Sequence, residues 1–436
     1  MPNPDSHAPL DPDFSPLAAY CEEAGVDGYL LDADGEDSDQ RYLSGFTAPD
    51  AFVTLFVDGE VSLLVSGLEY GRATAEARAD DVERLSAHDY RELVAEHGRR
   101  GGRVRAVAAF LAARDVDAVA VPDAFPLGTA DGLRDQGVDV RVETRGVVEE
   151  IRATKQPVEV EHVRTAQRAN EDAMRAAEDL LAAAEPVPPA DLADAVEGEP
   201  LGIQGKGEAA GDEAASGDGP VDGDAPVLVH DGAVLTSERV KEAIEVTLLR
   251  EECGLDETIV ACGADGAEPH NRGSGPLRAG EPVVVDIFPR DRSTGYHADM
   301  TRTFVVGEPT PAAREFYEVT REAQRAGLDA VAPGVTGDAV DAAVSAVYED
   351  AGYPTLRSDD DAETGFIHGT GHGVGLDVHE APRLAQGGEE LRPGHVVTVE
   401  PGLYDPAVGG VRIEDLVVVT EDGCENLTAY PREFEV

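Results

Sequence analysis

Apolar positions along this chain follow two rhythms, and the switches between them mark its elements. Gly28-Tyr29-Leu30-Leu31 is a short run of strand type. Phe52–Val57 and Val61–Val65 flank Asp58-Gly59-Glu60, which predicts a hairpin. Glu69–Ala79 and Arg103–Arg114 have helical spacing, whereas Val116–Val121 and Val138–Val142 read as strands. Residues 15–150 are thus expected to make one α/β domain. Pro157 suits a helix start, and Val160, Val163, Gln167, Met174, Ala177, Leu180 and Leu181 continue near-helical spacing to Glu185. Thr236 reads as the N-cap of a helix over Glu238–Glu252. Pro311–Ala330 places Phe316, Val319, Ala323 and Gly327 on one face, and Gly337–Ala351 does so with Val340, Val344, Val347 and Tyr348. These helices should back a sheet built from Val283–Phe288, Met300–Val306 and Val396–Val399.

The pattern fails between residues 186 and 234. Glu197–Ala225 holds eight glycines and eight acids and no aromatic residue. Such a stretch buries too little apolar surface to offset its ordering entropy, so it reads as a mobile insertion. Val227–Val234 adds a small hairpin around Asp231-Gly232. A chain of 436 residues predicts two domains, here 1–150 and 151–436, the second carrying the acidic Gly-rich insertion 186–234.

Charge narrows the function. The formal net charge is −53, and the only lysines are Lys155, Lys206 and Lys241. Such self-repulsion opposes compaction at low salt and is screened within a few ångströms at molar salt. The acidity is therefore read as adaptation to a salt-rich cytosol in a halophile, in preference to an acidic scaffold for basic proteins. Nucleic-acid binding is not expected, because phosphate contact needs basic patches. Cys21, Cys253, Cys262 and Cys424 are scattered without a CxxC pair and read as reduced residues. No signal-peptide layout and no 18-residue apolar run is present, so a cytoplasmic location without a membrane partner is expected.

Five potential metal ligands follow in order: Asp286, Asp299, His372, Glu400 and Glu414. Asp286 is the one charge in Val283-Val284-Val285-Asp286-Ile287-Phe288, and a lone carboxylate in an apolar strand is costly unless neutralised. Asp299 opens the next strand, and the turn-rich Pro289–Gly295 between them can bring both acids to one place. Glu400 ends Val396-Val397-Thr398-Val399 just before Pro401-Gly402, and Glu414 lies in Gly410-Val411-Arg412-Ile413-Glu414-Asp415. His372 sits in Gly369-Thr370-Gly371-His372-Gly373-Val374-Gly375, where glycines allow close backbone approach. Four carboxylates and one imidazole form a hard ligand set suited to Mn²⁺, with Co²⁺, Fe²⁺ or Zn²⁺ also possible. The charge fits two divalent ions with bridging carboxylates better than one, as in hydrolases that activate water between metals. A single zinc held by His368, His372 and His379 is the rival, but it leaves four placed carboxylates unexplained.

These stretches resemble the pita-bread metallopeptidases, in the prolidase and Xaa-Pro aminopeptidase branch. The resemblance rests on Pro269-His270, Val283–Asp286, Ala298–Phe304, His368–Glu380, Val399–Tyr404 and Gly409–Asp415, and more weakly on Tyr42-Leu43-Ser44-Gly45-Phe46. It also covers Arg152-Ala153-Thr154-Lys155, an Arg-x-x-Lys lead-in whose charged residues read as surface or interdomain contacts. It implies a creatinase/prolidase-type α/β domain, then a curved antiparallel sheet backed by helices, in a homodimer. It further implies cleavage between an N-terminal residue and proline. Asp286 would hold the first metal, His372 and Glu400 the second, with Asp299 and Glu414 bridging. Glu400 would move protons, His270 and His379 would contact substrate, and Arg412 would orient a carboxylate or a substrate carboxyl. His368 reads as structural and Tyr404 as a supporting residue. The chain departs from the family in its insertion, in a longer Asp286–Asp299 connection, and in Phe288 where a small glycine is usual. A methionine-type aminopeptidase shares the ligand set; a creatinase-like hydrolase or a pita-bread binding module would have lost it.

Overall fold

The computed structural model describes residues 10–196, 225–255 and 257–436. These fall into two compact units, residues 10–152 and 153–436. Most of the stretch expected to be mobile, 197–224, lies outside the described residues.

The first unit runs α1 (Ser15–Ala24), β1 (Gly28–Ala33), α2 (Ser38–Ser44), β2 (Phe52–Val57), β3 (Glu60–Val65), α3 (Tyr70–Glu76), β4 (Asp81–Arg84), α4 (Tyr90–Ala112), β5 (Ala118–Pro122), α5 (Leu127–Asp135), β6 (Asp139–Glu143) and α6 (Val147–Ala153). The strands form one mixed sheet in the order β4-β3-β2-β1-β5-β6. β1, β2 and β3 pair antiparallel, and β5 joins β1 in parallel. The central strands β1 and β2 are buried almost throughout, as strands covered on both faces require. Leu30, Val53, Leu64, Val107, Phe110, Val119 and Leu133 meet in the core. The expected hairpin is present, with Val57 opposite Glu60. Helix α4 begins thirteen residues before the expected Arg103, and its backbone breaks at Gly98. The run His97-Gly98-Arg99-Arg100-Gly101-Gly102 carries no apolar period, which hid its first half.

The second unit places α7 (Pro157–Ala182), β7 (Glu185–Val187), α8 (Leu192–Ala195), β8 (Val227–His230), β9 (Ala233–Val234) and α9 (Ser237–Arg250) before β10 (Cys253–Gly254), β11 (Thr258–Cys262), β12 (Val283–Ile287), β13 (Arg290–Asp291) and β14 (Met300–Phe304). Then come α10 (Pro311–Ala330), α11 (Gly337–Asp350), β15 (Gly371–Gly373), β16 (Glu380–Leu384), β17 (Val396–Val399), β18 (Gly402–Asp405), β19 (Gly409–Arg412), β20 (Asp415–Val419) and β21 (Cys424–Asn426). The architecture repeats one idea. Met174, Ala177 and Leu181 of α7 and Val240, Ile244 and Leu248 of α9 cover the antiparallel sheet β11-β12-β14. Behind the later strands, Phe316 of α10 and Val344 and Tyr348 of α11 pack with Leu403, Val411 and Ile413. Val340 of α11 packs on Val397, Val399 and Val417 of the sheet β16-β15-β17-β20-β21. The helix starts follow from their caps: Thr236, Thr310 and Thr336 each accept a backbone N–H of the first turn.

Two details refine the expected sheet. Pro401 and the Ile413-Glu414 step interrupt pairing and leave β18-β19 as a separate two-stranded piece. In the turn after β12, β13 pairs with β10, and Asp291 caps it by accepting from the backbone of Ser293 and Thr294. One reading needs correction: Arg152 and Lys155 do not lie at the surface, at 4% and 5% exposure. Arg152 bonds Asp39 at 2.9 Å, and Lys155 meets Glu380. The four cysteines are free thiols.

Candidate metal centre

Four of the five proposed ligands sit where a strand begins, ends or is disturbed, and the fifth lies inside one. Asp286 lies within β12, opposite Thr301 of β14. Asp299 immediately precedes β14, and Glu400 immediately follows β17. Glu414 occupies the gap between β19 and β20, and His372 sits at a register shift between β15 and β16. Such positions free a side chain from the alternation of a regular strand and let it aim inward. Gly371 explains how close the elements come, since a Cβ there would lie 2.1 Å from the Thr398 carbonyl oxygen.

The structure brings the ligands together. One atom each from Asp299, His372 and Glu414 lie within 4.8 Å of one another. His372 Nε2 is 3.2 Å from Glu400 Oε1 and 3.8 Å from Asp299 Oδ2. Asp286 lies near enough that its charge disfavours ionisation of both Asp299 and Glu414. Burial above all, then neighbouring carboxylates, pushes Asp299 and Glu414 well above the usual range. Burial likewise raises Asp286, against the pull of Arg412. Burial pushes Glu400 upward too, but the hydrogen bond and charge of His372 outweigh it and hold Glu400 at about 2. His372 is reciprocally raised by Glu400 against its own burial.

Does this site suit divalent cations? Asp286 Oδ1 and Glu414 Oε1 are buried with no hydrogen-bond partner among the described residues. Orphaned buried oxygens beside mutually repelling carboxylates are unfavourable unless a cation supplies the missing partner. The donors are oxygens plus one imidazole nitrogen, which suits Mn²⁺-class ions. The fit is therefore good.

The supporting residues are equally ordered. Arg412 donates from Nη2 to Asp286 Oδ2 at 2.7 Å, from Nη1 to the Tyr404 hydroxyl at 2.9 Å, and from Nε to Thr301 Oγ1 at 3.1 Å. Its fork thus holds the Asp286 carboxylate in a fixed orientation. Tyr404 also meets His368 Nε2 at 2.9 Å, so His368 belongs to this support. His379 is exposed, with its ring 4.2 Å from that of His372. His270 is exposed as well, and near enough that its charge disfavours protonation of His368 and His379.

Sequence reasoning missed two threonines. Thr301 donates to Glu414 Oε2 at 2.8 Å. Thr398 accepts the His372 backbone N–H at 3.0 Å and donates to Glu400 Oε1 at 3.3 Å. The available signal was one hydroxyl inside the wholly apolar run Val396-Val397-Thr398-Val399.

An antiparallel, helix-backed unit carrying the five candidate ligands, preceded by an α/β unit, defines a class that comparison with known proteins makes specific. Residues 161–421 match Metallopeptidase family M24, and residues 15–153 match the Creatinase/Prolidase N-terminal domain. The chain belongs to the M24 metallopeptidase family, with the pita-bread fold of its prolidase branch. It is 41% identical to an Xaa-Pro dipeptidase of Pyrococcus furiosus over 180 residues, covering 41% of this chain and 49% of that protein. The matched stretch thus spans about half the length of this curated relative. Among solved structures, an Xaa-Pro dipeptidase from Bacillus anthracis aligns with a TM-score of 0.73 at 25% identity, over 97% of this chain and 99% of that one. Dipeptidase PepE from Mycobacterium ulcerans aligns with a TM-score of 0.69 at 27% identity, over 97% and 96%.

Proposed function

We propose that this protein is a metallo-exopeptidase that uses two divalent ions, Mn²⁺ first among them, to hydrolyse Xaa-Pro dipeptides. The observation that carries the reading is the convergence of Asp286, Asp299, His372, Glu400 and Glu414 around buried, unpartnered carboxylate oxygens. The dipeptide preference rests on the relatives named as Xaa-Pro dipeptidases. Retention of all five ligands favours a peptidase over a binding module.

Asp286 would hold one cation and His372 and Glu400 the other, with Asp299 and Glu414 shared between them. Bound there, two such cations would make water more acidic and polarise the scissile carbonyl. Arg412 fixes Asp286 from behind. Glu400 accepts a proton from the attacking water and returns it to the leaving proline nitrogen. His270 and His379 hold the substrate by hydrogen bonds at the exposed side.

The enzyme works in a salt-rich cytoplasm as a homodimer, an assignment that rests on its acidity and its family resemblance. The decisive experiment compares hydrolysis of Ala-Pro and Ala-Pro-Ala in molar KCl with Mn²⁺, beside metal counting on the purified protein. Two ions per chain and turnover of Ala-Pro, lost in Glu400→Ala, are expected. Activity on Met-Ala-Ser alone would move the assignment to a methionine-type aminopeptidase. A metal-free protein inert toward all three peptides would end the reading.

A further inference from the structure

The Arg-x-x-Lys lead-in leaves a buried cation with no part in the chemistry above. Lys155 is one of only three lysines in the chain. Its ammonium meets Glu380, and both side chains are 1% exposed. Lys155 is itself pinned through its backbone N–H to the Gly394 carbonyl at 2.9 Å. Two ions are rarely buried together without structural consequence, because each loses its hydration.

What they hold is the loop that carries both site histidines. Glu380 begins β16, directly after His379, and its backbone pairs with Gly373, directly after His372. Its carboxylate tucks beneath the loop at Gly375, where a Cβ would lie 2.4 Å from Glu380 Oε1. The loop therefore wraps around the Glu380 side chain. The same loop is tied to the approach to Asp299, since the His297 N–H donates to the Gly375 carbonyl at 2.8 Å. The start of α7 grips that approach too: Tyr296 donates to Glu159 Oε1 at 2.5 Å, and Gln167 Oε1 accepts the Asp299 N–H at 3.3 Å. By contrast, the exposed His379 ring makes its contact with His372 and has no hydrogen bond of its own among the described residues. Its placement depends on the backbone either side of it.

We propose that the buried Lys155–Glu380 ion pair is a positioning device that fixes residues 371–380, and so sets His379 against His372 at the candidate metal centre. The inference deepens the peptidase reading and rests on it for its catalytic consequence, but its structural half stands alone. Lys155 and Glu380 touch neither substrate nor metal; they act through the loop.

The test uses the full chain in molar KCl. Glu380→Gln, Lys155→Met and the double variant are compared with wild type by hydrogen–deuterium exchange, thermal melting and kinetics with Mn²⁺ on Ala-Pro. In the single variants, exchange across 371–384 should quicken at least tenfold while α10 is unchanged, and kcat/KM should fall at least tenfold, mainly in kcat. The double variant removes the unpaired charge and should regain most of the melting temperature. A positioning role requires its loop exchange to stay fast and its kcat low; recovery of both with stability would overturn the proposal. Wild-type exchange rates in a folded single variant would overturn it as well. Should the single variants fail to fold, the double variant decides. If wild type binds Mn²⁺ but cleaves no Xaa-Pro peptide, the peptidase reading fails, and the exchange data still judge the ion pair.

Discussion

Replacing Arg412 by Met probes how the site manages its own charge. The side chain is nearly isosteric along its stem, so the main loss is the guanidinium. Arg412 is 4% exposed and is the cation bonded to Asp286, whose other oxygen has no partner. Removing one member of a buried pair typically costs about 3–5 kcal/mol, because the survivor is left buried and uncompensated. Asp286 would also be driven further toward its neutral form by burial and by Glu400. Metal-free Arg412→Met should therefore be destabilised by about 3–5 kcal/mol at pH 7. Saturating Mn²⁺ should close at least half of that gap, because a bound cation now neutralises the same carboxylate. The chain has no tryptophan, so urea unfolding in molar KCl is best followed by circular dichroism. A metal-free loss below about 1 kcal/mol, the scale of an exposed pair, would refute the reasoning. So would a gap that Mn²⁺ leaves unchanged.

Three further perturbations isolate single contacts. Thr398→Val removes the hydroxyl between the His372 backbone and Glu400; kcat should fall about tenfold or more, the value of one good hydrogen bond, and Thr398→Ser should restore it. Gly371→Ala puts a Cβ against the Thr398 carbonyl, so calorimetry should find Mn²⁺ binding weakened, while an alanine at the open Gly352, though strained by its positive φ, should leave it unaltered. His395 is buried beside Lys155 and Arg392 and sits at about 4, below its ordinary 6.5. Protonation thus favours the unfolded chain, so this histidine's contribution is intact above pH 6.5 and is lost as pH falls toward 4. The loss is about 3 kcal/mol at most, and a wild type that tracks His395→Asn through that window in urea melts would contradict it.

The site was legible where burial made a residue anomalous within its own few neighbours. Asp286 stood out because one acid interrupted an unbroken apolar strand, and Glu400 because a strand ended in an acid before Pro401-Gly402. Asp299 and Glu414 gained meaning from order and spacing, which the antiparallel register of β12 and β14 and the Glu414 N–H bond to the Thr301 carbonyl convert into proximity. What stayed hidden needed a distant partner to make sense. Lys155 looks solvated beside its own neighbours, since Glu380 is 225 residues away. Thr301 and Thr398 are ordinary strand residues until the chain folds a carboxylate against each. The first half of α4 was missed for a different reason: the glycine-broken run 97–102 interrupts the apolar period, and before it Tyr90 and Leu93 pack against the core at only two points.

Acidic residues in this chain do two unrelated jobs, and salt should separate them. Most of the 88 acids contribute to surface self-repulsion, whereas four are packed around the candidate metal centre. Counter-ions in molar salt screen exposed charges beyond about 3 Å, but have little access to side chains as buried as Asp286, Asp299 and Glu414. Metal-free melting temperature should therefore climb steeply between 0.2 and 2 M KCl. The increment added by saturating Mn²⁺ arises from ions that bind only the folded state, and at a fixed ratio of free ion to dissociation constant it has a fixed size, about 2.7 kcal/mol per site at a hundredfold excess. That increment should change little over the same salt range once the dissociation constants are measured at each salt. If instead it shrank in step with the screening of the surface, the four carboxylates would be behaving as solvated ones, and the buried centre argued for here would not exist.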